Sequence, residues 1–189
     1  KKLVIKKVML STKYLDFNKI KPLLKKVKIN KQNLKLIKNG KFKIKNLNLK
    51  FDENFNIIDN YKINGDLNSF NIKISDEYEI NNLISTFSYT KGSIFFSDMR
   101  WNLINKKNQN YEFFNGKIDI IQSKNIQDAS INFEVKNLHN LINIPVMNYD
   151  LSEFESQKVK SKLSFNKKKD ILLSYISISD KNNKFYIKE

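Results

Sequence analysis

Hydrophobic residues recur at every second position over much of this chain, with Lys, Asn or Ser between them. The clearest stretch is KFKIKNLNLKFDENFNIIDNYKINGDLNSFNIKIS, from Lys41 to Ser75. A period of two predicts β-strands with one oily and one wet face. Phe42 and Ile44 share a face, whereas Leu47, Leu49 and Phe51 share one with the phase moved by one residue. If both sets face the core, a β-bulge falls near Lys45 and Asn46. The next strands carry Tyr61, Ile63 and Leu67 around Gly65, then Phe70, Ile72 and Ile74. Tyr78 and Ile80, Phe87 and Tyr89, Ile94 and Phe96, and Met99, Trp101 and Leu103 follow, separated by turns at SDEY and TKGS. Past NKKNQN come Tyr111 and Phe113, Ile118 and Ile120, and an alternating run of Ala129, Ile131, Phe133 and Val135. Val159, Leu163, Phe165, Ile171, Leu173, Ile176 and Ile178 continue it, with a last strand around Phe185 and Ile187. Strands spaced by roughly 8–12 residues and joined by short polar turns predict an antiparallel meander.

Two stretches break the alternation. In STKYLDFNKIKPLLKKVKI the apolar residues Leu15, Phe17, Ile20, Leu23, Leu24 and Val27 follow a helical stripe, and Asp16 or Asn18 can cap its start. Pro22 is tolerated in a first turn, so a helix beginning at Lys21 suits it. One or two short helices are predicted across about 16–37. A second helical insert, about 138–146, is suggested by Leu138, Leu141 and Ile142. No linker divides residues 1–189, which read as a single β segment.

Composition changes this picture little. The 189 residues include only 4 Gly and 2 Pro, so Asn, Asp, Ser and Lys must make the turns. The net charge of +16 suggests nucleic acid, yet of 35 basic residues only Arg100 is an arginine, and the lysines are dispersed. Base and phosphate readers rely on the planar arginine fork, so a solvated polar face is the better reading and no nucleic-acid partner is expected. There is no cysteine, which removes disulfide and thiol chemistry. The chain starts on Lys1 and ends in KFYIKE within a strand pattern, so it reads as part of a longer protein.

Catalytic chemistry finds no foothold. His139 is the single histidine and has no nucleophile placed beside it. The carboxylates of FDEN and SDEY fall where turns are expected, and no glycine-rich phosphate loop is present. The expectation is a non-enzyme with no cofactor, no metal and no small-molecule substrate. What remains is the oily face. Each Leu, Ile or Phe left in water forgoes about 1.5–3 kcal/mol, so something must cover it: a second sheet, helices, or a hydrophobic ligand. The pattern alone favours the second sheet, a β-sandwich interaction or adhesion module.

The stretch from Ser11 to Asn54 resembles a segment of AsmA-like proteins, the YhdP/TamB-type bacterial envelope proteins. Leu15, Asp16, Leu23, Leu24 and Gly40 match a strand, a short helical turn and a glycine that opens the next strand. Gly65, Leu67, Phe87 and Gly92 match the family's strand, G-x-L turn and aromatic strand end. The resemblance spans about residues 2–135. It implies a mainly β fold, a long antiparallel sheet curled into a U-shaped groove with one or two short helices. It also implies a role in phospholipid transport between inner and outer membrane, in the periplasm, anchored to the inner membrane through a segment outside this chain. The expected partners are phospholipid acyl chains and components of both membranes. The residues expected on the groove wall are Phe42, Ile44, Leu49, Phe51, Tyr61, Ile63, Phe70, Ile72, Ile74, Phe87 and Tyr89.

Overall fold

A computed structural model describes residues 7–24, 31–54, 56, 61–122, 127–136, 156–165, 171–179 and 184–188. Among the described residues, eleven strands form one antiparallel sheet. They are β1 (Lys7–Leu10), β2 (Leu15–Asp16), β3 (Ile37–Lys50), β4 (Lys62–Lys73), β5 (Tyr78–Thr90), β6 (Ser93–Asn105), β7 (Asn110–Gln122), β8 (Gln127–Lys136), β9 (Ser156–Phe165), β10 (Ile171–Ser179) and β11 (Lys184–Lys188). From β3 onward each strand pairs with the next in sequence, while β1 and β2 both pair with the free side of β3. The sheet is open: β1 and β11 are its two ends and do not pair with each other. The sandwich that the pattern alone favours is therefore not what the described strands build. Tight turns explain why, because Thr90 pairs directly with Ser93 across Lys91 and Gly92, and such hairpins keep each strand beside the last.

Polar turn chemistry holds the hairpin ends. Asp52 accepts backbone N–H bonds from Asn54 (2.9 Å) and Asn56 (2.8 Å). The Ser75 hydroxyl accepts from Glu77 and Tyr78, both at 3.1 Å, and Asn105 Oδ1 accepts from Lys107 and Gln109, both at 3.0 Å. The carboxylates of FDEN and SDEY thus belong to turns. Hydrogen bonds from Asn56 hold the Asp52 carboxyl below the usual carboxylate range, and Lys73 does the same for Asp76.

The two helices are α1 (Phe17–Leu24) and α2 (Lys31–Leu36). The first begins earlier than Pro22 suggests. Asp16 Oδ1 accepts the N–H of Asn18 at 2.8 Å, an N-cap that starts the helix at Phe17. Pro22 then sits inside the helix, where it has no N–H to offer the Asn18 carbonyl. Lys21 Nζ donates to the Ile37 carbonyl at 2.8 Å and ties α1 to the start of β3. The helical insert expected at about 138–146 lies outside the described residues.

The register shifts between Ile44 and Asn46, so the bulge expected near Lys45 and Asn46 is present. Similar shifts interrupt β4 between Leu67 and Phe70, β5 between Asn81 and Ile84, β6 between Phe96 and Met99, and β7 between Phe114 and Lys117. Bulges bend a sheet and increase its twist. Gly65 lies inside β4 and not in the G-x-L turn that the family resemblance implies. A Cβ there would stand 2.2 Å from the Lys43 carbonyl oxygen and 2.6 Å from the ring of its cross-strand partner Phe87, so the ring needs a glycine to lie on.

Two hydrophobic clusters form. Phe17 of α1 and Leu34 of α2 are buried with Phe70, Leu83 and Met99. Tyr111, Phe113, Val135, Val159 and Ile178 make the second, with Trp101 and Phe133 packed against it. The opposite face is wet: Lys45 meets Asp66 at 2.6 Å, Lys136 meets Glu112 at 3.0 Å, and Lys38 pairs with Glu79.

Candidate functional site: an apolar cavity and the tracks that lead from it

Register places apolar residues side by side across the sheet, because directly opposed residues of antiparallel strands share a face. One track runs Leu10, Leu47, Ile63, Tyr89, Ile94, Ile120, Ala129, each the direct partner of the next, over seven strands. At about 4.8 Å between strands it extends for roughly 29 Å. A second track runs Ile44, Gly65, Phe87, Phe96, Ile118, Ile131. Most of these side chains are only half-buried, unlike the two clusters.

Beside the tracks, α1 and the sheet line an open-mouthed cavity of about 430 Å³. Phe17 and Ile20 reach it from α1, Ile37 and Phe42 from β3, Leu67, Phe70 and Ile72 from β4, Leu83 and Phe87 from β5, and Phe96 from β6. Every one is a hydrocarbon side chain. Phe17 meets Phe70 edge to face at 5.8 Å between ring centres, which sets the distance of the helix from the sheet. Gly40, at a φ of 150°, lets the Phe70 ring approach: a Cβ there would stand 2.4 Å from it. Among the described residues no titratable group lines this space, and its lining suits hydrocarbon.

Of the wall residues expected from sequence, Phe42, Phe70, Ile72 and Phe87 meet in this cavity. Ile63 and Tyr89 are direct partners on the first track, and Ile44 begins the second. Leu49 pairs with Val8 at the sheet's end. Phe51 follows β3 as a half-buried single-bridge residue. Tyr61 precedes β4 and stands against Tyr89, ring centres 5.7 Å apart and hydroxyls 3.3 Å apart. Ile74 lies past the end of β4 and is 52% exposed. Sequence reasoning did not select Phe17, Ile20, Ile37, Leu67, Leu83 and Phe96 for the wall, although they complete the cavity. Leu67, Leu83 and Phe96 lie on strands whose phase slips by one residue, whereas Phe17, Ile20 and Ile37 reach the cavity only through the packing of α1 and the start of β3.

The second cluster is filled differently. Trp101 stacks on Phe113 at 4.8 Å with a 7° tilt, and Phe133 meets both edge-on. Tyr111 is 3% exposed, and burial, aided by nearby Tyr78, raises its phenol above the ordinary value. Gln157 is 1% exposed in the same region, and neither its side-chain oxygen nor its nitrogen has a hydrogen-bond partner among the described residues.

Among the described residues no helix is long and apolar enough to cross a membrane. No protein-family model, no curated protein and no solved structure matches this chain.

Proposed function

We propose that this chain is a non-enzymatic, lipid-binding segment of a periplasm-spanning protein that moves phospholipid between the inner and outer membranes. The observation that carries the reading is the unbroken apolar track across seven strands, continued beside it by a cavity with a purely hydrocarbon lining. An acyl chain gains about 0.8 kcal/mol for each CH₂ it buries. Such a wall holds the chain without fixing its position, because it is almost wholly hydrocarbon and the one hydroxyl on the track, that of Tyr89, is engaged with Tyr61. Cargo is then retained strongly and still free to slide. The lysine-rich opposite face stays in water. Envelope location, and attachment to the inner membrane through a segment outside this chain, follow from the AsmA-like resemblance.

The test is extraction of the purified protein followed by lipid mass spectrometry, together with photo-crosslinkers at Ile63 and Ile72. Co-purifying phospholipid and crosslinks to acyl chains support the reading. A lipid-free protein with no acyl crosslink would leave an interaction module without a lipid role.

A further inference from the structure

The cavity straddles a line of irregularity in the sheet, and we infer that this line makes the cavity. Ser69 in β4, Asn82 in β5, Asp98 in β6 and Asn115 in β7 have φ between 52° and 54°, in the left-handed region. Each stands within or beside a register shift of its strand. Each also directly precedes a buried residue whose nearest inward-facing neighbour is three positions back, not two. The pairs are Leu67 and Phe70, Ile80 and Leu83, Phe96 and Met99, and Phe113 and Gly116. The segments read LNSF, INNL, FSDM and FFNG. One added residue per strand returns the apolar phase to the same face and bends the sheet there.

Without the added residue in β4, Phe70 and Ile72 would turn to the lysine face while Leu67 stayed inside, and the cavity would lose a wall. In β5 the slip keeps Ile80, which packs against the cluster beside the cavity, on the face that carries Leu83 and Phe87. Ser69 and Asn82 are therefore positioning residues: Ser69 aims both halves of β4 into the pocket, and Asn82 holds both halves of β5 on its face. The side chains suit the task. Asn and Asp tolerate left-handed backbone far better than other residues with a Cβ, and a β-branched residue is the least suited. This deepens the lipid reading, since it assigns the residues that shape the pocket where an acyl chain would lie.

The test uses an inversion of rank. At an ordinary exposed strand position Val stabilises relative to Ser, and Asn destabilises. At a left-handed bulge the order reverses. Ser69 is exposed, so Ser69→Asn should raise Tm by a few degrees and Ser69→Val should lower it. Asn82→Gly should leave the affinity for the neutral dye Nile red within twofold, because glycine accepts the same backbone angles. Thiol labelling adds a check in the unaltered fold, since the chain has no cysteine. A single cysteine at Phe70 should label slowly and one at the exposed Lys73, which an unbulged strand would turn inward, quickly. A Tm order with Val above Ser and Ser above Asn, a tenfold loss of dye affinity in Asn82→Gly, or rapid labelling at position 70 would each overturn the inference. A lipid-free protein would remove the transport reading and leave the Tm order and labelling pattern untouched.

Discussion

The region from β3 to β6 and the region from β7 to β10 share one sheet and one apolar face, yet they bury that face in different ways. In the first, bulges interrupt every strand pairing, glycines at 40 and 65 accept rings, and a 430 Å³ cavity remains beneath α1. In the second, β8 and β9 pair over ten residues without a shift, and Val135 near the end of that pairing is 0% exposed. Trp101, Phe113 and Phe133 stack at close spacing even though register shifts lie beside them on β6 and β7. The comparison teaches that bulges alone do not leave room: one part of the apolar face is filled by its own large rings, whereas the other keeps a cavity beneath a helix.

The sharpest way to break the comparison is Phe113→Ala. It deletes the ring shared by the stacked and edge-on contacts of the filled region and should lower stability by about 3–5 kcal/mol in urea unfolding. A loss below about 1 kcal/mol would mean that the second region is not the one supplying stability. Gly65→Ala comes next, with an expected loss of about 1–3 kcal/mol, because the new methyl must displace the Phe87 ring and the Lys43 carbonyl. Its dye affinity should fall with stability, since Phe87 lines the cavity.

Gln157→Leu should act in the opposite direction. Removing a buried amide that has no partner among the described residues should stabilise the protein by about 1–2 kcal/mol, visible as a higher urea midpoint with unchanged slope. Ile20→Phe tests the open region by filling it. Bound phospholipid should drop severalfold while stability changes by less than about 1 kcal/mol, since the ring enters existing space. If lipid content is unaffected, the cavity is not part of the path.

The smallest effect is alkaline. The Tyr111 phenol is raised by burial, so its contribution is complete below the ordinary tyrosine value and is lost as pH rises through the folded value. Stability of the wild type should decline more steeply above that point than that of Tyr111→Phe. Parallel curves would remove Tyr111 as the cause.

Much of the fold was legible because a strand exposed on one face must alternate, and alternation survives in any composition. Phe42, Ile44, Leu47 and Leu49 displayed both the strand and its bulge. Turn residues were legible for a similar local reason: Asp52, Ser75 and Asn105 satisfy backbone N–H groups a few residues away. The start of α1 was legible in Asp16, one of the two caps the pattern offered, while Pro22 taken alone pointed to a later start at Lys21. The cavity wall was legible in part. Phe70 and Phe87 stood out by size, whereas Leu83 and Phe96 are ordinary strand residues until neighbouring strands bring them under Phe17.

By itself, then, the sequence determined that the chain is β-rich, antiparallel and oily on one side, since those properties depend on neighbours within a few positions. Only the tertiary structure decided that a single open sheet covers itself with two short helices and leaves a cavity. That outcome depends on which residue stands opposite which across strands. Such pairing is set by turns and one-residue bulges whose effects add up across the sheet.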